Sequence, residues 1–223
     1  MRTVRLMTCA ALAVLVMCAG VRAGIYLEQE VKMPAQPGMP ASVVKQVCYV
    51  SELKMRVENV VMGVKTVIIQ RYDKGLIYQL VPAQKVCMEM PIPKPPVQPA
   101  GQQPQVTVTK TDETAKIGEW NCSRYDVTVN GRSSKYWTTE DVDLGNEMRN
   151  YWKTTTMSAA PEVGQELGKM KGFLVRMETV SPQGAVVVTV TTVKKQDVPD
   201  SMFEVPEGYQ KMSMPTAPQP PAR

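Results

Sequence analysis

Apolar and polar residues alternate along most of this chain. Ile25, Leu27, Gln29, Val31 and Met33 stand on one side of a stretch whose other side carries Tyr26, Glu28, Glu30 and Lys32. That two-residue period is the signature of a half-buried β-strand, and Pro34, Pro37, Gly38 and Pro40 end it. A second, longer strand is predicted from Val43 to Glu58, with Val47, Tyr49, Leu53, Met55 and Val57 on one face and Glu52, Lys54, Arg56 and Glu58 on the other. Three short strands follow, Lys65 to Tyr72, Leu76 to Val81 and Lys85 to Met90, joined by Asp73-Lys74-Gly75 and Pro82-Ala83-Gln84. Connections this short make an antiparallel meander. Val67, Ile68 and Ile69 are consecutive and β-branched, which places their strand near the middle of the sheet with both faces covered.

Residues 91–105 hold six prolines among Gln and Gly and read as an extended surface insertion, with a proline-motif recognition segment as the sharper alternative. Strand signals resume at Val106 to Lys110, Glu119 to Val129 and Arg132 to Thr138, the last two joined by Asn130-Gly131, the strongest short-range hairpin signal. From Asp141 to Lys169 the pattern becomes helical: Asp143 caps a helix through Trp152, and Pro161 to Leu167 forms another turn. The sheet returns at Gly172 to Val180 and Ala185 to Val193. Ser201 to Tyr209 contributes Met202, Phe203 and Val205 ahead of a Pro-rich, disordered tail at 214–223. Short strands with tight turns and one helical segment describe a single β-rich domain over 24–213, an all-β sandwich or partly open barrel with a helical flap.

The first residues add a destination. Arg2 and Arg5, the small and apolar run from Ala10 to Val16, and Val21-Arg22-Ala23 match a secretory signal peptide over 1–23, cut after Ala23. Cys18 with its upstream Leu15 offers a lipoprotein alternative, against which stands the bulky Met17. The apolar run is shorter than the roughly 20 residues that span a bilayer, which argues against an uncleaved anchor, and no second apolar run is long enough to cross, so no transmembrane segment is expected after cleavage. Loss of Arg2, Arg5 and Arg22 shrinks the formal net charge of +5, too little to indicate nucleic acid or an anionic membrane surface as a partner. Cys48, Cys87 and Cys122 remain, each alternating with an apolar face, so all three are expected on the more accessible side of the sheet, where a disulfide with one leftover thiol and three free thiols compete.

Candidate chemistry is sparse. There is no histidine, which removes the commonest general base, the usual hydrolase triads and most zinc sites. No glycine-rich phosphate loop is present, and the carboxylates lie scattered on polar strand faces. No catalytic residue, metal site or cofactor is expected. The 16 methionines against two phenylalanines, among them Met33, Met55, Met88, Met90 and Met177 on predicted inward faces, allow ordinary core filling or an adaptable lining for an apolar ligand. Cu(I) binding by thioethers is the third reading and needs a tight cluster.

Several segments together resemble a known family: Lys54-Met55-Arg56-Val57-Glu58, Ile68-Ile69 with Tyr72-Asp73-Lys74-Gly75, Cys87-Met88-Glu89-Met90-Pro91, Ile117 to Tyr125, Tyr136-Trp137, and Val198 to Tyr209. The resemblance, over most of the exported chain, is to the exported bacterial domain-of-unknown-function family numbered 4412, whose architecture looks like that of LolA, the periplasmic lipoprotein carrier. Cys87 stands where a tyrosine is expected, and the insertion after Pro91 is long. The resemblance implies a mainly β fold, an antiparallel, strongly curved sheet or unclosed β-barrel whose apolar concave side is covered by a short helical flap, here Asp143 to Leu167. It transfers no active residue and no cargo.

The reading that joins these points is a periplasmic, non-enzymatic carrier module for a hydrophobic ligand, a lipid or the acyl chain of a lipoprotein. The alternative is a structural or protein-interaction component of the envelope with a filled core. Tyr49, Leu53, Met55, Ile69, Tyr78, Met88 and Val127 are the candidate ligand-binding residues, chosen for inward parity on central strands.

Overall fold

The computed structural model describes residues 21–38, 40–61, 63–93, 104–156 and 160–213. The expected leader, except for its last three residues, the core of the proline-rich insertion and the C-terminal tail all lie outside the described residues.

Among the described residues twelve strands form one sheet. In chain order they are β1 (Val21–Met33), β2 (Ser42–Ser51), β3 (Lys54–Val61), β4 (Val64–Arg71), β5 (Leu76–Val81), β6 (Val86–Pro91), β7 (Val106–Ile117), β8 (Trp120–Val129), β9 (Arg132–Thr139), β10 (Phe173–Ser181), β11 (Gly184–Pro199) and β12 (Gln210–Ser213). Their spatial order is β12-β6-β5-β4-β3-β2-β1-β11-β10-β9-β8-β7. The sheet is curved and unclosed, as the family resemblance implies. Two meanders, β1 to β6 and β7 to β11, are joined edge to edge by the long β1–β11 ladder. All pairings are antiparallel except that of β12 with β6, which is parallel. Register shifts at Glu28/Gln29, Lys110/Thr114 and Leu174/Arg176 interrupt the ladders; such bulges bend a strand and increase its local twist.

The structure corrects the long strand expected over 43–58. It is a hairpin, β2 and β3, turning at Glu52 and Leu53, with Glu52 in a left-handed backbone conformation (φ 50°). Parity therefore flips across the turn: Tyr49 faces one side of the sheet with Arg56, while Met55 and Val57 face the other with Val50 and Cys48. The strand expected over 106–110 continues to Ile117 as the sheet's outer strand β7, and the strand expected over 185–193 continues to Pro199. Helix α1 (Asn146–Thr156) starts three residues beyond Asp143, whose carboxylate instead accepts a bond from the Gly145 N–H (2.8 Å). Helix α2 (Pro161–Leu167) has the expected bounds. The hairpin at Asn130-Gly131 is also as expected, both residues having positive φ.

Both faces of the central sheet are covered. On the helical face α1 packs on β1 and β2 and α2 packs on β7. There Ile25, Leu27, Cys48 and Val50 join Tyr151, Phe173 and Val175 in the largest core cluster. On the opposite face the chain returns after β11 through a 3-10 turn, Asp200–Phe203, and buries Phe203 against Val67, Ile69, Tyr78, Leu80 and Cys87. A third cluster under α2 contains Tyr125, Val127, Leu167 and Met170.

This double cover corrects the placement of the thiols. Cys48, Cys87 and Cys122 are free and buried, not on an accessible face. The alternation along β2 and β6 holds; the face taken as open is closed by a helix or by the C-terminal return.

Ion pairs hold that return in place. The Arg71 guanidinium donates to both carboxylate oxygens of Asp73 (2.9 and 2.7 Å) and to the Phe203 carbonyl (3.2 Å), and the Lys54 ammonium donates to Asp200 (2.7 Å). Hydrogen bonds from Arg71 and Lys54, reinforced by their charge, hold Asp73 and Asp200 below the ordinary carboxylate range. Since folding lowers these two pKa values, their contribution is fully present above the unfolded value of about 4 and is lost as pH falls through the folded values. The thermal midpoint should therefore fall as pH drops below about 4, and Asp73→Asn should flatten that fall in a calorimetric pH series. Arg22 also pairs with Glu52 and Asp200. Cleavage after Ala23 would remove it with its β1 neighbours Val21 and Ala23.

Candidate functional site

A hollow of about 280 Å³ opens on the helical face between β1–β4 and α1. Its floor follows from the register. Leu27 pairs with Cys48 and Cys48 with Val57, and in the next row Val50 pairs with Met55 and Met55 with Gln70, so side chains from four adjacent strands point the same way. Tyr151 of α1 forms the roof, its ring centroid 5.0 Å from that of Phe173. The helix is fixed over the sheet by two bonds besides its packing: the Thr154 hydroxyl donates to the Glu52 carbonyl (2.5 Å), and the Trp152 indole N–H donates to the Gly172 carbonyl (3.1 Å).

The lining carries no charge. Its polar members are Gln29, Gln70 and Tyr72, besides the roof tyrosine. Gln29 donates to Gln46 (2.7 Å), and the Tyr72 hydroxyl donates to Gln70 (3.1 Å). The Cys48 thiol is pushed up to about 12 by burial, and burial likewise raises the Tyr151 phenol. At neutral pH both stay protonated, and a thiol is a far weaker nucleophile than a thiolate. The hollow can therefore take apolar matter and satisfy a few neutral polar groups. It has no charge with which to hold an anion or a metal ion.

Of the residues picked from the sequence, Met55 lines the hollow. Tyr49, Ile69 and Tyr78 form a row on the opposite face, in the cluster covered by the C-terminal return. Val127 is buried in the third cluster, under α2. Met88 faces the same way as Val57 and Ile68, two strands beyond the hollow. Leu53 sits in the β2–β3 turn and accepts the Tyr72 N–H (3.0 Å) at its carbonyl. Sequence reasoning missed Leu27, Cys48, Val50, Val57, Gln70, Tyr72 and Tyr151 as one set. The available signal was length: a strand over 43–58 exceeds the usual 3–10 residues, and a turn inside it moves Val57 and Val50 onto one face.

A larger depression of about 580 Å³ lies over Arg124, Asp126, Lys135 and Glu178. Arg124 is engaged with Asp126 and Glu113, and Glu178 with Arg176; Arg132 and Lys135 also line it and have no carboxylate partner among the described residues, so it is a charged surface depression, unlike the uncharged hollow.

The profile of the family described as Domain of unknown function (DUF4412) matches residues 31–209. The sequence matches no curated protein. Among solved structures, an uncharacterized conserved protein from Thermus thermophilus is similar in fold, with 8% identity, a TM-score of 0.52, and coverage of 86% of this chain and 90% of that one. PNGF-II is similar at 15% identity and a TM-score of 0.42 over 86% of this chain and 31% of that one, so this chain spans about a third of PNGF-II. An outer membrane lipoprotein-sorting protein domain from Vibrio parahaemolyticus is similar at 9% identity and a TM-score of 0.31, over 78% of this chain and 85% of that one.

Proposed function

This chain belongs to the DUF4412 family, and we propose that it acts as an exported, non-enzymatic binding or carrier module that holds the apolar part of a ligand, a lipid or the acyl chain of a lipoprotein, between its sheet and α1. The observation that carries this reading is the uncharged hollow under Tyr151, floored by Leu27, Cys48, Val50, Met55 and Val57. Apolar surface leaving water gains roughly 25 cal/mol per Å², and this lining sets no buried charge against that gain. The volume stands at the lower edge of ligand pockets, which start at roughly 300 Å³. It suits one chain and leaves a headgroup outside. Export rests on the leader pattern of residues 1–23, and the absence of catalysis on the lack of histidine and of any activated nucleophile in the hollow.

The modest volume also favours the second reading, a structural or interaction component whose core is essentially filled. Titration with a fluorescent fatty acid separates the two. The carrier reading expects saturable binding, and Val57→Trp, which fills the hollow from its floor, should weaken that binding at least about tenfold while leaving the thermal midpoint within a few degrees. Equal binding by the variant, or none by the parent protein, would favour the filled core.

A further inference from the structure

We propose that one end of the sheet is a docking rim for an anionic phospholipid bilayer. Antiparallel pairing brings the β1–β2, β3–β4, β5–β6, β8–β9 and β10–β11 connections to the same end of the molecule. The exposed large apolar side chains are concentrated there: Met33, Val43, Val60, Val61, Val64 and Val180 all lie beside these turns, and among the described residues only Met212 on β12 lies elsewhere. Val60 is 56% exposed, Val61 42% and Val64 50%, so the tip of the β3–β4 hairpin is an aliphatic point facing water. Exposed apolar groups gathered in this way mark interaction surfaces.

Charge selects the occupant. None of the five connections contains an aspartate or glutamate, and they are flanked by Lys32, Lys65, Lys85 and Arg132. Lys32, Lys85 and Arg132 are exposed and have no acidic partner among the described residues, while Lys65 pairs with Glu58. Glu207, in the turn leading into β12, is the exception at the sheet's edge. The connections at the opposite end carry Glu52, Asp73, Glu119, Glu140, Asp141 and Asp200 together with Lys74, and Glu52, Asp73 and Asp200 are paired there with Arg22, Arg71 and Lys54. Aliphatic side chains beside carboxylate-free turns, with three unpaired cations among them, match the boundary between acyl chains and anionic headgroups, where buried apolar area and attraction to the lipid charge act together. The rim uses residues other than those of the hollow, so either proposal can fail alone.

Flotation of the purified protein with vesicles tests the rim. Vesicles of phosphatidylglycerol and phosphatidylethanolamine should carry the protein up, and vesicles of phosphatidylcholine alone should carry much less. Val61→Asp combined with Val64→Asp should lower partitioning on the order of a hundredfold, and Lys85→Gln and Arg132→Gln about fivefold each. Val61→Ser with Val64→Ser serves as a milder pair should the aspartates lower the thermal midpoint. Val57→Trp, which alters only the hollow, should float like the parent protein. Equal flotation with both vesicle types, no flotation with either, as for a surface that docks only on another protein, or unchanged flotation of both valine pairs would overturn the proposal.

Discussion

Phe203→Ala is expected to destabilise the fold by about 3–5 kcal/mol, the largest loss from any single truncation outside the helical-face core. The sequence has only two phenylalanines, Phe173 and Phe203, and both are fully buried. Phe203 is the apolar anchor of the C-terminal return: Val67, Ile69, Tyr78, Leu80 and Cys87 lie under that segment, and the Lys54 ammonium stands 5.9 Å from the ring centroid. Truncation loses the transfer energy of the ring and leaves a cavity that the β-ladders around it cannot collapse to fill. Native domains hold only about 5–15 kcal/mol in all. The urea midpoint should accordingly drop by about a fifth of its value or more with the slope unchanged. A loss under about 1 kcal/mol would mean that the return does not close the outer face.

Gly172→Ala should cost nearly as much, roughly 3 kcal/mol, by a different route. Gly172 has φ +85°, a conformation that penalises any Cβ, and a Cβ there would lie 2.2 Å from the Thr139 carbonyl oxygen and 2.7 Å from its carbon. Those atoms are backbone, so relief requires β10 to move away from β9. The same residue accepts the Trp152 indole bond that fixes α1. The substitution should therefore loosen the roof of the hollow as well as the sheet. The expected readout is a fall in thermal midpoint together with weaker fatty-acid binding, and a variant with parental values for both would contradict this placement of β10 and α1.

Much of the architecture can be read from two-residue alternation alone. The meander over 65–90, the Asn130-Gly131 hairpin and the two strands before the C-terminal return come from patterns in which one face is apolar or the turn chemistry is explicit. The β-branched run at Val67, Ile68 and Ile69 does mark a strand covered on both sides: Val67 and Ile69 lie under the C-terminal return, and Ile68 faces the helical side. What escapes the sequence has identifiable causes. Glu52 takes a left-handed turn conformation without the asparagine or glycine that usually announces one. Thr111 to Lys116 form a strand with scarcely an apolar residue, as an outer strand needs no hydrophobic face on its solvated sides.

The candidate site suffers most from these omissions. A missed two-residue turn inverts every side chain beyond it, which is why Tyr49 and Met55, assigned to one face by unbroken parity, stand on opposite faces. In a half-covered sheet such an error would show at once, as oily residues left in water. Here the C-terminal return and the helices make both faces apolar, so Ile69 and Tyr78 look as inward as Val57 does. The roof residue Tyr151 is reachable only through tertiary packing, since α1 is a short, mostly polar helix whose sequence does not say which strands lie beneath it.

Native mass spectrometry of the protein isolated gently from its own cells tests the central claim, occupancy of the space beneath Tyr151, most directly. The expected spectrum contains a population heavier than the chain by the mass of one lipid, which disappears on solvent extraction and is missing from Val57→Trp. A single unliganded species from the parent protein, unchanged after incubation with its host's extracted lipids, would contradict the account.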